Sequence, residues 1–199
     1  MSAVQAAKQA LRKDIKKAVA QLTRDQKAHQ SDIVTEKFLS SKEYGKSKRV
    51  SIFISMDDEI QTDKIIKHIF QTGRLCFIPR YASKGSEMEM VRLHSLEDLQ
   101  SLPKTKWNIK QPLETDQREN ALQTGGLDLI VVPGLAFTMN GKRMGRGRGY
   151  YDTYLSRCRS LQNKPPITVA LAFSPQILDH VPTDENDMNV DMVLFPPRS

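Results

Sequence analysis

Residues 142–157, KRMGRGRGYYDTYLSR, alternate three glycines with two arginines just before a segment that has the pattern of a helix. Glycines let backbone N–H groups approach an anion, a helix N-terminus attracts negative charge, and Arg146 and Arg148 add planar donors. The spacing fits neither GxGxxG nor GxxxxGK followed by Ser or Thr. The residue types still favour an anion-binding loop over a flexible basic turn. A disordered arginine-glycine tail is excluded, because the stretch is one short unit between two regular elements.

Carboxylates and one aromatic residue are further candidates. Asp152 falls in the first turn of the predicted helix, where it either complements the helix dipole or binds a cation. Mg²⁺ takes one or two carboxylates together with substrate phosphates, so Asp187 is either the second ligand or a plain turn residue. Glu59 closes an apolar run and is either solvated or functional. Trp107 is either a stacking platform or a hydrophobic plug.

The sequence gives little support to covalent catalysis. The four histidines have no ligand spacing to one another, and no Ser-His-Asp or Cys-His arrangement is visible. Cys76 and Cys158 stand far apart without a CxxC pattern. Buried, reduced thiols are the preferred interpretation, and they suit a reducing compartment.

Length and charge narrow the class of protein. A chain of 199 residues fits one domain spanning 1–199, because a single core serves up to roughly 250 residues. A net charge of +7 and a pI near 9.4 indicate an anionic partner: a nucleotide, a nucleic acid or a polyglutamate chain. With aromatic residues at only 7% and no recognisable RNA- or DNA-binding motif, we expect no nucleic-acid partner. No apolar run approaches the roughly 18 residues of a membrane span.

The elements that must position these residues follow from periodicity. Helices are predicted over 4–22, over 23–39 with a capping box at Thr23, over 62–73 and over 150–162. The first is basic like a mitochondrial presequence, but it is lysine-led and carries an aspartate, so we interpret it as part of the mature domain. A cytoplasmic location is expected, with mitochondria as the alternative.

Strands alternate with these helices, and several are apolar on both faces. This pattern predicts an α/β fold with a mostly parallel sheet between helices. Ligands in such sheets bind at the carboxyl ends of the strands, where MDDEI, IPRY, VPGLAF and AFSPQ would collect. A long loop is predicted over 102–123. The strands are predicted at 48–56, 74–80, 87–95 (an edge), 127–134, 167–173 and 191–195.

Several segments together carry a resemblance to a known family. VVPGLAFTMNGKRMGRGRGYYDTYL, preceded by SIFISMDDEIQT and followed by ALAFSPQ and VPTDENDMNVD, resembles 5-formyltetrahydrofolate cyclo-ligase, also called 5,10-methenyltetrahydrofolate synthetase. The match runs in order over nearly the whole chain. The resemblance implies a ribose-5-phosphate isomerase and CoA-transferase type of α/β fold, in three layers. It also implies an ATP- and Mg²⁺-dependent ring closure of 5-formyltetrahydrofolate. We further expect polyglutamylated forms of that substrate and a monomeric protein.

Site residues are carried over by position. The resemblance implies that Asp152 and Asp187 hold magnesium and that Arg146, Arg148 and Tyr151 act in catalysis. The implied folate contacts are Ile54, Glu59, Trp107, Arg146, Gly147, Arg148, Gly149 and Tyr150. The implied ATP contacts are Lys8, Arg12, Arg143, Met144, Gly145, Arg146, Gly147, Arg148, Gly149, Tyr150 and Tyr151.

Two positions depart from the family pattern. Thr138 stands where the family often has Asp, which argues against an acid function there. Arg148 stands where Lys is frequent, so the charge is kept while its geometry changes.

Overall fold

The computed structural model describes residues 2–82, 85, 87–105 and 109–197, so the prediction for Trp107 lies outside the described residues. A large sheet forms the centre of this part of the chain, beside a two-stranded hairpin. The strands are β1 (Arg49–Ser51), β2 (Leu75–Tyr81), β3 (Met88–Leu93), β4 (Leu129–Val132), β5 (Ala136–Phe137), β6 (Arg143–Met144), β7 (Ile167–Leu171) and β8 (Met192–Leu194).

The large sheet has the order β3-β2-β1-β4-β7-β8. Every neighbouring pair is parallel except β2 with β3, which run antiparallel from Cys76 opposite Leu93 to Tyr81 opposite Met88. The prediction of an edge strand near residues 87–95 is therefore confirmed. The predicted α/β fold with a mostly parallel sheet is confirmed as well.

Helices cover both faces of the sheet. Apolar side chains of α1, α2 and α4 pack on one face, and those of α6 pack on the other. None of the helices within the described residues has the length and hydropathy of a membrane span. The helices are α1 (Ala3–Ala20), α2 (Arg24–Leu39), α3 (Lys42–Lys46), α4 (Asp63–Gln71), α5 (Leu96–Ser101) and α6 (Tyr150–Leu161).

Strand β4 is a central strand of the sheet, as its continuous apolar run predicted. Successive side chains of a strand point to opposite faces. Leu129 and Val131 accordingly pack with α1, α2 and α4, while Ile130 and Val132 pack with α6. All four are fully buried, because each face of the sheet has its own apolar cluster.

The first two helices begin at capping boxes. The Thr23 hydroxyl accepts a hydrogen bond from the Gln26 amide at 3.1 Å, and the Gln26 side chain accepts one from the Thr23 amide at 2.8 Å. The predicted cap of α2 is thus confirmed. Ser2 and Gln5 form the same arrangement at the start of α1. Each box satisfies two backbone donors that a helix N-terminus leaves without partners.

Strand β1 is shorter than the predicted 48–56. Beyond Ser51 the chain leaves the sheet and folds around Thr62, whose hydroxyl donates to the Phe53 carbonyl at 2.9 Å. The amide of Ser55 donates to the same hydroxyl at 3.2 Å. The Thr62 side chain thus takes the place of strand hydrogen bonds at Phe53 and Ser55, and residues 52–61 form a loop at the carboxyl end of β1.

Other differences involve short elements. Helices α3 and α5 were not predicted, and each spans only five or six residues, too short for an apolar period to be visible. Within residues 102–105 and 109–123 the chain is irregular apart from isolated bridges and a 3₁₀ turn at Ala121–Gln123. The hairpin of β5 and β6 was also missed.

The turn of this hairpin requires a glycine. Gly141 has φ +90°, and a Cβ there would lie 2.1 Å from the Val190 carbonyl oxygen. No residue with a side chain fits at that distance. The Gly141 carbonyl accepts a hydrogen bond from the Val190 amide at 2.9 Å. The turn therefore fixes the chain segment that leads from Asp187 into β8.

Replacing Gly141 with Ala is expected to lower the free energy of unfolding by about 2 kcal/mol, because a left-handed backbone and a backbone clash act together. Denaturant unfolding measures this loss. Gly73 to Ala is the matched control, since it has φ +67° but nothing within 4 Å of an added Cβ. Equal losses in the two variants would show that the contact with Val190 has no cost.

Candidate active site

A cavity of about 1160 Å³ opens at the carboxyl edge of the parallel strands. The predicted segments MDDEI, IPRY and VPGLAF each contribute lining residues there, whereas AFSPQ does not. Instead, Gln176 of that segment donates to the carbonyls of Gly134 and Leu135 at 3.1 Å and supports the turn after β4. The predicted site residues that line the cavity are Lys8, Arg12, Ile54, Glu59, Arg143, Gly145, Arg146, Gly147, Arg148, Gly149, Tyr150, Tyr151, Asp152 and Asp187.

The glycine-rich loop leads directly into α6, as predicted. Gly149 is the N-cap of this helix and has φ +71°, and Gly147 has φ +101°, so both occupy backbone conformations that favour glycine. A Cβ on Gly147 would lie 3.3 Å from the Arg12 guanidinium carbon. The Arg12 Nε donates to the Gly145 carbonyl at 3.0 Å, which ties α1 to the loop.

Lys8 is almost fully buried, with 6% exposure, although it lies on the basic helix α1. Its ammonium donates to Asp184 Oδ2 at 2.5 Å and to Asp187 Oδ2. Burial alone would lower the pKa of Lys8, but the two hydrogen-bonded carboxylates outweigh it and raise the pKa. The hydrogen bond from Lys8 lowers the pKa of Asp184. The lysine therefore stays charged and holds α1 against residues 184–187.

Arg143 joins the glycine-rich loop to α6. Its Nη2 donates to Asp152 Oδ1 at 2.6 Å, and its Nη1 donates to the Pro133 carbonyl at 3.2 Å. Asp152 Oδ1 also accepts from the Met188 amide at 2.9 Å, which brings the neighbouring Asp187 to the same end of the cavity. The side chain of Met144 points into the core instead and does not line the cavity.

The two predicted metal ligands have a donor set that fits Mg²⁺. Asp152 Oδ2 and Asp187 Oδ1 have no hydrogen-bonding partner among the described residues, whereas the other oxygen of each carboxylate is held. In the same part of the chain no three His, Cys, Asp or Glu side chains are grouped to hold a metal. Two carboxylates completed by phosphate oxygens and water suit Mg²⁺.

Glu59 lines the same cavity, contacts Arg146 of the glycine-rich loop, and is 7% exposed. Its Oε2 accepts from the Met56 amide at 3.0 Å, and its Oε1 accepts from Arg146 Nη2 at 3.1 Å. Burial raises the pKa of Glu59, and the Arg146 charge opposes that rise only in part. A carboxylate in this setting is a strong acceptor for N–H groups of a bound molecule.

Three tyrosines, Tyr81, Tyr150 and Tyr151, line the same cavity. The rings of Tyr81 and Tyr150 lie 4.9 Å apart at 59°. Burial raises the pKa of both Tyr81 and Tyr151, so their hydroxyls stay protonated. In this protonated form the two hydroxyls are suited to donate hydrogen bonds and not to accept a proton. Together with Phe53 and Ile54 these rings give the cavity an apolar wall.

Arg148 differs from the other cationic side chains of the cavity. It is exposed, and among the described residues its guanidinium makes no hydrogen bond or ion pair. Arg12, Arg143 and Arg146, by contrast, each donate to a protein oxygen. Arg148 can therefore meet an anion without breaking a contact within the protein.

Comparison with known proteins decides the family. The profile described as the 5-formyltetrahydrofolate cyclo-ligase family matches residues 4–196. The chain belongs to this family. The resemblance inferred from the sequence is thus confirmed, and the chain is a member of a ligase family.

Individual relatives agree with the cyclo-ligase family. A mouse protein named 5-formyltetrahydrofolate cyclo-ligase is 52% identical over 192 residues, covering 96% of this chain and 95% of the mouse protein. A Caenorhabditis elegans protein named probable 5-formyltetrahydrofolate cyclo-ligase is 35% identical over 196 residues, covering 98% and 95%. The NMR structure of Aquifex aeolicus 5,10-methenyltetrahydrofolate synthetase has a TM-score of 0.74 at 27% identity, covering 94% and 88%.

Sequence reasoning missed several residues that line the cavity of this cyclo-ligase family member. Asp184 stands three residues before Asp187 and shares Lys8 with it. Asp58 does not itself line the cavity, but it pairs at 2.8 Å with Arg146, which does. Both carboxylates were visible near predicted site residues, but no local pattern tells which acids face a cavity or which cation they pair with. Lys110 and Arg157, which add positive charge to the lining, carry no sequence signal at all.

Proposed function

We propose that this cyclo-ligase family member converts 5-formyltetrahydrofolate to 5,10-methenyltetrahydrofolate at the expense of ATP, with release of ADP and phosphate. One observation carries the proposal. A single cavity places a glycine- and arginine-rich loop at a helix N-terminus between two aspartates and a buried glutamate beside tyrosine rings. The first part suits a triphosphate with Mg²⁺, and the second suits a pterin with N–H donors and an aromatic face.

The reaction needs an activated formyl group, because a formamide carbon is a poor electrophile. The formyl oxygen takes the γ-phosphoryl group of ATP and ADP leaves. The N10 nitrogen then bonds to the formyl carbon and loses its proton, while the carbon–oxygen bond breaks and phosphate departs. Positioning and charge neutralisation dominate phosphoryl transfer, so no nucleophilic side chain is needed.

The nucleotide is proposed to lie along the glycine-rich loop. The backbone of Arg143, Met144, Gly145, Gly147 and Gly149 approaches its phosphates, with the α6 N-terminus behind them. Arg146 and Arg148 neutralise charge on the transferred phosphoryl group, and Tyr151 donates a hydrogen bond from its protonated hydroxyl. Two further cations come from α1: Arg12, which is tied to the same loop, and Lys8, which pairs with Asp184 and Asp187.

The folate is proposed to bind at the other end of the cavity. Glu59 accepts hydrogen bonds from pterin N–H groups, and its burial makes each of these bonds strong. Ile54 and Tyr150 pack against the ring, and Trp107 is proposed as a further wall. Residues 146–149 lie between the two ligands, which explains how one loop can contact both.

Mg²⁺ is proposed as the resident metal, held by Asp152 and Asp187. When bound, it neutralises phosphate charge and orients the phosphoryl oxygens. Met188 and Arg143 hold the Asp152 carboxylate in place. Lys8 does the same for Asp187.

The protein is further proposed to be a monomer that acts on small molecules in the cytoplasm. Cys76 and Cys158 are buried and free, as is usual for proteins of a reducing compartment. The folate substrate is proposed to include polyglutamylated forms, since Lys110 and Arg157 add positive charge to the cavity.

The reaction itself is the primary test. Mixing the protein with ATP, Mg²⁺ and 5-formyltetrahydrofolate at neutral pH is expected to produce the near-ultraviolet absorbance of the methenyl product. Leaving out ATP or adding EDTA is expected to abolish it, and a mixture without protein is the blank. Undiminished product formation in EDTA would remove the metal from the proposal.

A further inference from the structure

The guanidinium of Arg146, a residue that lines the cavity, is held by two carboxylates. Its Nη2 donates to Asp58 Oδ1 at 2.8 Å and to Glu59 Oε1 at 3.1 Å. The arginine comes from the glycine-rich loop, and the carboxylates come from the loop after β1, 87 and 88 residues earlier in the chain. The contact thus links the nucleotide end of the cavity to the folate end.

The loop that carries the carboxylates is well fixed. Glu59 and Met56 exchange two hydrogen bonds of 3.0 Å, one between backbones and one to the Glu59 side chain. Gln61 donates from its side chain to the carbonyls of Met56 and Glu59 at 3.2 and 3.0 Å. The arginine, in contrast, stands between two glycines. When the contact breaks, the arginine side therefore moves and the carboxylate side stays.

We infer that Asp58 is a positioning residue that, together with Glu59, draws Arg146 away from the nucleotide until the folate binds. The inference rests on the proposed function. A pterin that donates to Glu59 competes with Arg146 for the same carboxylate. It leaves Asp58 as the only ion-pair partner of Arg146 among the described residues. The guanidinium then becomes available to the phosphates.

This arrangement predicts coupling between the two ligands. If the folate frees Arg146, it strengthens nucleotide binding, and the nucleotide must strengthen folate binding by the same factor. Asp58 weakens nucleotide binding through Arg146 alone. Its side chain is 39% exposed and that of Arg146 is 35% exposed, so the effect has the size of a partly solvated ion pair.

The experiment measures the binding of Mg²⁺ and a non-hydrolysable ATP analogue by calorimetry, with and without 5-formyltetrahydrofolate. Asp58→Asn is expected to tighten analogue binding about threefold to fivefold without folate. Asp57→Asn is the matched control. It removes the same charge one residue earlier, and the Asp57 carboxylate has no hydrogen bond or ion pair within the described residues.

Two further comparisons separate a positioning role from a structural or purely electrostatic one. Adding Asp58→Asn to Arg146→Ala is expected to leave analogue binding unchanged, because Asp58 then has nothing to restrain. In the wild-type protein, the folate is expected to tighten analogue binding at least about threefold, and Arg146→Ala is expected to abolish this coupling.

The outcomes separate the inference from the proposed function. Equal analogue affinity in the Asp58 and Asp57 variants, an Asp58 effect that persists without Arg146, or an absence of coupling in the wild type overturns the inference alone. Failure of the wild-type protein to bind either the analogue or the folate overturns the proposed function, and the inference falls with it.

Discussion

Replacing Glu59 with Gln is expected to lower kcat/KM for 5-formyltetrahydrofolate by about 100-fold, mostly through KM. Glutamine keeps the size of the side chain but presents an NH₂ group where the pterin N–H groups require an acceptor. The carboxylate is 7% exposed, so little water is available to compensate for the lost hydrogen bonds. Initial rates from methenyl absorbance at varied folate measure the change.

The pH dependence gives the same residue an independent readout. Burial raises the pKa of Glu59 above its ordinary value of 4.5, so the accepting carboxylate is lost at a higher pH than for an exposed glutamate. As the pH falls through this raised pKa, kcat/KM for the folate is expected to decline. The Gln variant is expected to lack that decline, and Asp57→Asn is expected to retain it. Wild-type folate kinetics in the Glu59→Gln variant would show that the pterin does not bind at Glu59.

Replacing Arg148 with Ala is expected to lower kcat/KM for ATP roughly 10- to 150-fold, since one charge-assisted contact contributes about 1.5 to 3 kcal/mol. The guanidinium is exposed and has no hydrogen bond or ion pair among the described residues. The thermal unfolding midpoint is therefore expected to stay unchanged. This separation makes Arg148 a cleaner test than Arg146 or Lys8, both of which pair with carboxylates.

Two companion variants show what the loss at Arg148 means. Arg148→Lys keeps the charge but loses the planar fork, so its kcat/KM is expected to lie between those of the wild type and the Ala variant. Arg24→Ala removes the same charge from an exposed position on α2, outside the cavity, and is expected to leave kcat/KM unchanged. Near-wild-type turnover in Arg148→Ala would show that Arg148 does not contact ATP and that this part of the loop is a basic surface turn.

Elements encoded by neighbouring residues were predictable. The Thr23 capping box and the continuous apolar run of β4 involve residues at most a few positions apart, and both were found in the structure. The predicted end of β1 was wrong, because the observed boundary depends on Thr62, eleven residues beyond Ser51. A strand ends where another group takes over its hydrogen bonds, and apolar composition does not reveal that partner.

The candidate site divides in the same way. The glycine-rich loop was visible because the φ values of Gly147 and Gly149 and the start of α6 are requirements of the local backbone. The sequence also predicted that Arg146 and Arg148 bind an anion, but it did not show that their ion pairing differs. One is paired with two carboxylates and the other has no ion pair in the described part of the chain, although they stand two residues apart.

The sequence by itself determined the order of the four longer helices and of the strands of the large sheet, the mostly parallel α/β architecture and the glycine-rich loop at a helix N-terminus. Only the tertiary structure decided how the charges pair across the cavity. Lys8 meets Asp184 and Asp187 from 176 and 179 residues away, and no periodic pattern relates positions so distant. Helical and strand periods report which face a residue occupies. Which opposite charge it meets depends on how the faces pack, and here that packing turns a lysine of a basic helix into a buried group.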